Sequence, residues 1–362
     1  MIESSDDVFD PGDGGSAVLQ TDFASDNHAG AHPAVLEAMV AANAGWVPAY
    51  GGDPWTANFQ ERIKEEFGEQ AAGFAVLNGT GTNMLGLSLL LGNRYEAVIC
   101  PETAHIATHE GGASERQLGT KLILAPTPDG KLTPDDVTAR LHGLGVPYEV
   151  QPKVVSISQV TELGTCYTPD EVAALAETAH AHGLLLHMDG ARLANAAAHL
   201  GCSLRALTTD AGVDVVGFGG TKNGAVLAEA LIVFRSELAA KVPFLIRPSL
   251  QLASKTRFIS AQLTTMLTDE LWRRNAEHAN AMARRLADGI TDLPGISLRW
   301  PVQSNAVFAA LPHNVIGELQ TRYTFHVWDH HEGVVRWMTA FNTTPESIDA
   351  FVSAIAAALK SS

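Results

Sequence analysis

The sequence predicts an α/β protein in which a mainly parallel sheet, covered by helices, is followed by a smaller α+β domain. Between residues 74 and 234, short apolar runs alternate with stretches of helical periodicity. The runs show little polar alternation, which is typical of strands buried on both faces of a parallel sheet. After about residue 255 a long helical stretch precedes alternating strands, so the chain of 362 residues is expected to hold two domains.

Apolar spacing places the elements of the first domain. Residues 1–21 lack periodicity and are expected to form a loose arm. Asp26 and Asn27 are placed to cap a helix that ends near Gly45, and Pro54 begins a second helix. The strands then follow at Phe74–Leu77, Val98–Cys100, Leu122–Leu124, Val154–Ile157, Leu184–Met188, Val213–Phe218 and Ala230–Phe234.

Capping residues mark two connecting helices, which begin at Thr133-Pro134 and Thr168-Pro169, each with an acidic residue three positions after the threonine. The second domain is predicted to contain a helical stretch over 266–290, strands over 296–300, 306–311 and 334–338, and a final helix from Pro345. The predicted division is an arm over 1–21, a large domain over 22–255 and a small domain over 256–362.

Composition excludes several classes of partner. The 24 basic and 40 acidic residues give a formal charge of −16, which would repel nucleic acid and anionic membranes. Cys100, Cys166 and Cys202 are scattered, so we expect no disulfide framework and no metal site. The acidic N-terminus does not resemble a signal peptide, and no apolar run is long enough to span a membrane. A cytoplasmic location is therefore expected.

The first chemical motif is Asn78-Gly-Thr-Gly-Thr82, which follows a predicted strand and opens a helix. Glycines at a helix N-terminus expose backbone N–H groups, which favour an anion such as phosphate. The motif matches neither the dinucleotide fingerprint nor the P-loop. An ordinary strand-to-helix turn is the alternative explanation.

The second motif is His187-Met-Asp-Gly-Ala-Arg192, at the end of another buried strand. A buried aspartate needs a cationic or N–H partner to offset its desolvation. One interpretation is a salt bridge between Asp189 and Arg192. The other is functional, with Asp189 keeping a cofactor ring nitrogen protonated and Arg192 binding a substrate carboxylate.

The third motif, Gly217-Phe-Gly-Gly-Thr-Lys-Asn-Gly224, places a lysine among glycines after an apolar strand. Taken alone, Lys222 could be an ion-pair partner, a charge for phosphate or a Schiff-base amine. A phosphate site, a strand-end aspartate and a strand-end lysine, in this order, are what pyridoxal 5′-phosphate (PLP) requires.

From about residue 22 to near the C-terminus, the chain resembles the low-specificity L-threonine aldolases. The motifs that carry the resemblance are Ser25-Asp-Asn27, Tyr50-Gly-Gly-Asp-Pro54, Asn78-Gly-Thr80, Glu102-Thr-Ala-His105, His187–Arg192 and Phe218–Gly224. The resemblance implies a fold type I, aspartate-aminotransferase-like large domain and PLP as cofactor. It also implies cleavage of L-threonine, L-allo-threonine and related β-hydroxy-α-amino acids to glycine and an aldehyde, in a homotetramer built as a dimer of dimers with sites shared between subunits. The alternatives are a β-eliminating lyase or phenylserine-type aldolase on the same scaffold, or a non-catalytic PLP-fold binding protein.

The resemblance also implies roles for individual residues. Lys222 would bind the cofactor aldehyde, Asp189 the pyridinium nitrogen, and His105 would stack on the ring. The phosphate would be held by Gly79, Thr80 and Gly81, with Arg192 also near the cofactor and with Lys255 or Arg257 reaching across a subunit boundary. The substrate carboxylate would be bound by Ser25, Arg192 and Arg336. From the residues alone, His105 would be a loop histidine and Arg336 a surface arginine.

The base that acts on the β-hydroxyl is open at this point. The resemblance implies a histidine shortly before the strand that begins at Lys153, and Tyr148 is assigned to that place. A tyrosine with a pKa of about 10 is a poor base at neutral pH. His105 is preferred, with His109 or a water molecule as alternatives. The neighbouring His330 and His331 are expected in a loop rather than at a metal.

Overall fold

The computed structural model describes residues 22–361, so the predicted arm over 1–21 lies outside the described residues. Within this range a large sheet contains seven strands, in the order β1-β7-β6-β5-β4-β2-β3. Their bounds are β1 (Ala72–Val76), β2 (Glu96–Pro101), β3 (Lys121–Ala125), β4 (Gln151–Ser158), β5 (Leu185–Gly190), β6 (Val215–Gly219) and β7 (Glu229–Val233).

The large sheet confirms the predicted α/β fold class. All seven predicted strands are present, and β7 alone among them runs antiparallel to its neighbours, β1 and β6. The parallel register pairs Ser158 of β4 with Asp189 of β5, and Asp189 with Gly217 of β6. The carboxyl ends of these three strands therefore meet at one edge, where open α/β sheets bind ligands.

Helices cover the large sheet and the second, smaller one. They are α1 (Pro33–Ala42), α2 (Pro54–Phe67), α3 (Gly79–Leu90), α4 (His105–Thr108), α5 (Pro134–Thr138), α6 (Pro169–Ala181), α7 (Leu193–Leu200), α8 (Ser236–Ala239), α9 (Val242–Leu245), α10 (Arg257–Leu267), α11 (Leu271–Ile290), α12 (His313–Gln320) and α13 (Pro345–Ser361). Short 3-10 turns span Asp26–His28, Thr221–Asn223 and Thr268–Glu270, and a π-helical turn spans Ser114–Leu118.

Two predicted helix boundaries are wrong. Helix α1 is capped by His32, whose Nδ1 accepts from the backbone of Ala34, whereas Asp26 begins a separate 3-10 turn. The helical stretch predicted over 266–290 is broken between α10 and α11, because Asp269 and Glu270 adopt positive φ angles of 49° and 52°. The capping boxes of Thr133 and Thr168 are formed as predicted.

The small domain is built on an antiparallel sheet in the order β10-β11-β9-β8. Its strands are β8 (Ser297–Leu298), β9 (Ala306–Ala310), β10 (His326–Asp329) and β11 (Val334–Met338). Strand β10 was not predicted. His330 and His331 lie in the turn that follows it, as expected. No helix between residues 22 and 361 has the length and apolar character needed to cross a membrane.

Separate hydrophobic cores lie under the two sheets. The side chains of α10 and of the first turns of α11, including Leu263 and Trp272, pack into a core of the large sheet. Phe23 instead packs into the small-domain core, where its ring stacks on Phe351 at 4.3 Å. The division at residue 255 stays a prediction.

The segment that begins at Asp22 is bound along the small sheet. The Phe23 N–H donates to the Thr324 carbonyl at 3.0 Å, and the Phe23 carbonyl accepts from Met338 N–H at 2.8 Å. This attachment places Ser25 and Asp26 between the small domain and the carboxyl edge of the large sheet.

Candidate active site

Two adjoining cavities, of about 200 Å³ and about 60 Å³, lie at the carboxyl edge of the large sheet. Lys222, His105 and Arg192 line both of them. Gly79, Thr80 and Asp189 line the smaller cavity, whereas Ser25 and Arg336 line the larger one. The fold therefore brings together eight residues that the sequence analysis assigned to one site.

Lys222 lies in the 3-10 turn after β6, inside this site. Its ammonium has no hydrogen-bond or ion-pair partner among residues 22–361, so an ion pair does not account for the buried lysine. Burial lowers the pKa of Lys222, and the positive charge of Arg192 lowers it further. A lysine in this environment has a larger fraction of neutral amine and is a better nucleophile.

Asp189 lies one residue before the end of β5 as a part-buried carboxylate that accepts hydrogen bonds from two donors. Its Oδ2 accepts from Asn83 Nδ2 at 2.8 Å, and its Oδ1 accepts from Ala191 N–H at 3.0 Å. Burial would raise the pKa of Asp189, but the Asn83 hydrogen bond and the charge of Lys222 outweigh it and lower the pKa. Asp189 is therefore an ionised group able to hold a proton on a ring nitrogen.

The N-terminus of α3 supplies free backbone donors beside Asp189. The Gly79 and Thr80 N–H groups have no hydrogen-bond partner in the described chain, and no atom lies within 4 Å of a Cβ added to Gly79. The Gly81 N–H is already bonded to Asn78 Oδ1 at 2.7 Å. A Cβ on Gly81 would overlap the amide of Gln251. Gly79 and Thr80 thus offer an anion site, whereas Gly81 makes room for Gln251.

His105 lies at the start of α4, with its ring between the two cavities. Its Nδ1 is 2.8 Å from Glu110 Oε1, which also accepts from Asn83 Nδ2 at 2.8 Å. Atoms of His105, Glu110 and Asp189 come within 4.8 Å of one another. Hydrogen bonds account for this spacing, because Asn83 Nδ2 donates to both carboxylates and His105 Nδ1 lies within hydrogen-bond distance of Glu110 Oε1.

Two guanidinium groups face the larger cavity. Arg192 donates through Nε and Nη2 to the two oxygens of Asp26 at 2.7 and 2.8 Å, so the predicted alternative of an Asp189–Arg192 salt bridge is wrong. Arg336 on β11 lies over the Trp328 ring at 5.5 Å. Burial and the charge of Arg192 lower the pKa of Arg336 to about 10. Paired cations in a partly buried cavity favour a carboxylate ligand.

Three residues singled out in the sequence do not reach this site within one chain. Lys255 and Arg257 line a separate cavity beside Trp46, and Arg257 donates to the Ala44 and Gly45 carbonyls. Tyr148 is 88% exposed on the segment before β4 and lines neither active-site cavity. Tyr148 therefore lies outside the site formed within this chain.

The sequence analysis missed four polar residues of the site, Asp26, Asn83, Glu110 and Glu162. Glu162 lines both cavities and follows the carboxyl end of β4. Open α/β sheets bind ligands at the carboxyl ends of their strands, which is why Asp189 and Lys222 were selected from the sequence. The same criterion would also have selected Glu162. Asn83 sits on the second turn of α3, where spacing alone does not distinguish it from a core position.

The geometry fits a cofactor with an aldehyde, a basic ring nitrogen and a phosphate. An unpaired buried lysine, an ionised aspartate and open N–H donors at a helix N-terminus meet at the edge of a sheet with the predicted topology. Fold and site together define a fold type I, PLP-dependent enzyme.

Comparisons with known proteins give the family. The beta-eliminating lyase family model matches residues 22–312. The chain is 43% identical to the low specificity L-threonine aldolase of Pseudomonas aeruginosa, over 90% of this chain and 94% of that relative. It is 41% identical to the low specificity L-threonine aldolase of a Pseudomonas species, over 88% of this chain and 96% of that relative. A solved threonine aldolase from Leishmania major superposes with a TM-score of 0.88 at 32% identity, over 93% of this chain and 99% of that one. The chain belongs to the beta-eliminating lyase family and, within it, to the low-specificity L-threonine aldolases.

Proposed function

We propose that this protein is a PLP-dependent aldehyde-lyase that cleaves L-threonine, L-allo-threonine and related β-hydroxy-α-amino acids to glycine and an aldehyde. The observation that carries the proposal is the buried, unpaired Lys222 in a site that also presents two guanidinium groups. The high identity to threonine aldolases disfavours β-elimination, and a binding protein without turnover would not need a lysine with a lowered pKa.

The chain's own groups fit the cofactor at three points. Lys222 would bind its aldehyde, Asp189 its ring nitrogen, and the N–H groups of Gly79 and Thr80 its phosphate. When bound, PLP supplies an electron-withdrawing group that accepts the electron pair of a bond broken at Cα. Asp189 contributes to this chemistry because its ionised carboxylate keeps the ring nitrogen protonated.

The larger cavity would orient the amino acid. Arg192 retains an Nη1 that makes no hydrogen bond to residues 22–361, and Arg336 and Ser25 line the same cavity. A carboxylate held between these groups would fix the amino acid at one end, inside the cavity that His105 also lines. Trp328 and Met338 add apolar surface to the same cavity.

The experiment that tests the activity follows both product classes. Purified protein with PLP is given threonine, allo-threonine and phenylserine, and the release of aldehyde and of ammonia is measured. Aldehyde with glycine is the expected outcome, whereas ammonia with a keto acid would support a β-eliminating lyase. In Lys222→Ala the visible band of lysine-bound cofactor should disappear. A band that persists in this variant would contradict the assignment of Lys222.

We also propose a homotetramer in which Lys255 or Arg257 completes the phosphate site of a neighbouring subunit. Four large apolar side chains are largely exposed in the single chain, as expected of residues that another subunit covers. They are Val40 (76%), Trp46 (105%), Phe244 (80%) and Leu250 (83%). Trp46 lines the cavity that also contains Lys255 and Arg257, so one of these exposed side chains lies beside the two cations.

Coexpression of two inactive variants tests this arrangement. Consider a mixed dimer of one Lys222→Ala chain and one Arg257→Ala chain. If Arg257 acts across the boundary, one of the dimer's two sites contains both native residues. If Arg257 acts within its own chain, each site lacks one of them. Recovered activity would therefore support Arg257, and the same design with Lys255→Ala tests the other residue. Light scattering after gel filtration gives the oligomeric state. The three cysteines are free thiols, which supports a cytoplasmic location as a further part of the proposal.

A further inference from the structure

Glu162 is a part-buried carboxylate of the site that has no role in the proposed function. Its Oε1 accepts from Ser158 Oγ at 2.6 Å and from the His105 N–H at 2.7 Å. Its Oε2 is shielded from solvent and has no hydrogen-bond partner within residues 22–361. The side chain is thus held by one oxygen while the other remains free.

The position of Glu162 distinguishes it from the other carboxylates of the site. Asp189 and Glu110 line only the smaller cavity, where the cofactor ring would lie. Glu162 lines both cavities, and it is the one carboxylate among the described residues that line the larger cavity with Ser25 and Arg336. It therefore lies between the place of the cofactor and the place of the substrate.

The environment of Glu162 also suits proton transfer. Burial raises the pKa of Glu162, and the negative charge of Asp189 adds to the increase, although the hydrogen bonds from Ser158 and His105 oppose it. A carboxylate with a raised pKa is a stronger base than an ordinary exposed one, and the remaining hydrogen bonds keep it oriented.

The other candidate bases fit less well. Tyr148 lies outside the site. His105 already uses Nδ1 in its hydrogen bond to Glu110, and its ring is the group expected to stack on the cofactor. His109 stacks between His105 and Trp328, at 5.7 and 6.2 Å, and burial together with the charges of His105 and Arg336 lowers its pKa.

We propose that Glu162 Oε2 accepts the proton of the substrate β-hydroxyl during carbon–carbon cleavage; this inference rests on the proposed function. As the O–H bond breaks, its electron pair forms the C=O bond of the leaving aldehyde. The electron pair of the Cα–Cβ bond would remain with Cα, next to the electron-withdrawing group that PLP supplies when bound. A proton then returned to Cα yields glycine, so no proton is gained or lost overall.

The test distinguishes a variant that lacks only the proton-accepting group from one whose cofactor site is disrupted. Glu162→Gln keeps the shape of the side chain but cannot accept the proton. We expect kcat for aldehyde release from threonine to fall about 10²- to 10⁴-fold, the range of a general base. Exchange of the glycine α-proton with solvent deuterium needs Lys222 and the cofactor but no β-hydroxyl, and it should persist together with the visible cofactor band.

The pH dependence gives a second, independent readout. Because Glu162 must be ionised, wild-type kcat should rise with pH through the raised pKa of this carboxyl and then level off. Ser158→Ala removes a hydrogen bond that lowers the pKa of Glu162, so the rise should move to higher pH while the plateau is retained. This variant tests the proposal even if Glu162→Gln folds poorly.

Three results would overturn the inference. Threonine cleavage in Glu162→Gln within about threefold of wild type would show that the carboxylate is not the base. An equal loss of glycine exchange would show that Glu162 only maintains the site. An unchanged pH profile in Ser158→Ala would exclude its titration. If wild-type protein releases no aldehyde from any of the three substrates, the proposed function itself fails, and the inference fails with it.

Discussion

Replacing Gly81 with alanine should show whether this glycine at the N-terminus of α3 is needed for packing rather than for ligand binding. The added methyl group overlaps the amide of Gln251. That amide cannot simply move away, because Gln251 is 7% exposed and its Oε1 accepts from Leu77 N–H at 3.0 Å. Overpacking of a core by one methyl group costs about 1–3 kcal/mol.

Thermal unfolding of the cofactor-free protein measures this cost. In domains of about 150–250 residues, each kcal/mol corresponds to roughly 2–4 °C in Tm, so Gly81→Ala should unfold several degrees below wild type. Gly79→Ala is the matched control, because nothing lies within 4 Å of its Cβ and alanine favours a helix over glycine by up to about 1 kcal/mol. The Tm of Gly79→Ala should not fall, but its affinity for PLP should decrease.

A double variant tests the cause. Gln251→Ala alone loses a hydrogen bond, which is worth about 1 kcal/mol, but it removes the group that the new methyl overlaps. Gly81→Ala should therefore cost much less in this background than in wild type. An equal loss in both backgrounds would refute the steric argument, as would a Gly81→Ala protein with wild-type Tm.

Three further outcomes are expected. Asp26→Ala removes the carboxylate partner of Arg192, whose side chain is 20% exposed, and should lower the free energy of unfolding by about 1–3 kcal/mol. Asp349→Ala breaks an exposed pair and should cost at most about 1 kcal/mol; denaturant melts compare the two. Arg336→Lys keeps the charge but loses the planar fork, so KM for threonine should rise more than kcat falls, and a change in kcat alone would contradict carboxylate binding. Tyr148→Phe should leave kcat and its pH profile unchanged, and a loss of more than tenfold would restore Tyr148 as a candidate base.

The fold and much of the site were predictable because their signals are local. Buried strands read as short apolar runs, and Asp189 and Lys222 stand directly after such runs. Parallel strands bring their carboxyl ends to one edge of the sheet, so the sequence pattern alone places these two residues close together. The same reasoning led to the N-terminus of α3, where the N–H groups of Gly79 and Thr80 are open and are proposed to bind the phosphate.

What could not be predicted depends on contacts between distant segments. The break between α10 and α11 occurs at Asp269 and Glu270, two non-glycine residues with positive φ angles that no local motif announces. Asp26 pairs with Arg192 only because Phe23 is anchored in the small-domain core. The placement of Tyr148 depended on extending a register through a loop, where sequence spacing does not determine position, and Tyr148 lies outside the site formed within this chain.

The anchoring of Phe23 gives substrate binding a second role. Ser25 lies two residues after Phe23 on the segment bound to the small sheet, and Arg336 belongs to β11 of that sheet, whereas Arg192 and Lys222 follow strands β5 and β6 of the large sheet. An amino acid held through its carboxylate by both arginines is thus a ligand of two domains at once. A molecule without the α-carboxylate would therefore lose its proposed contacts to both domains together.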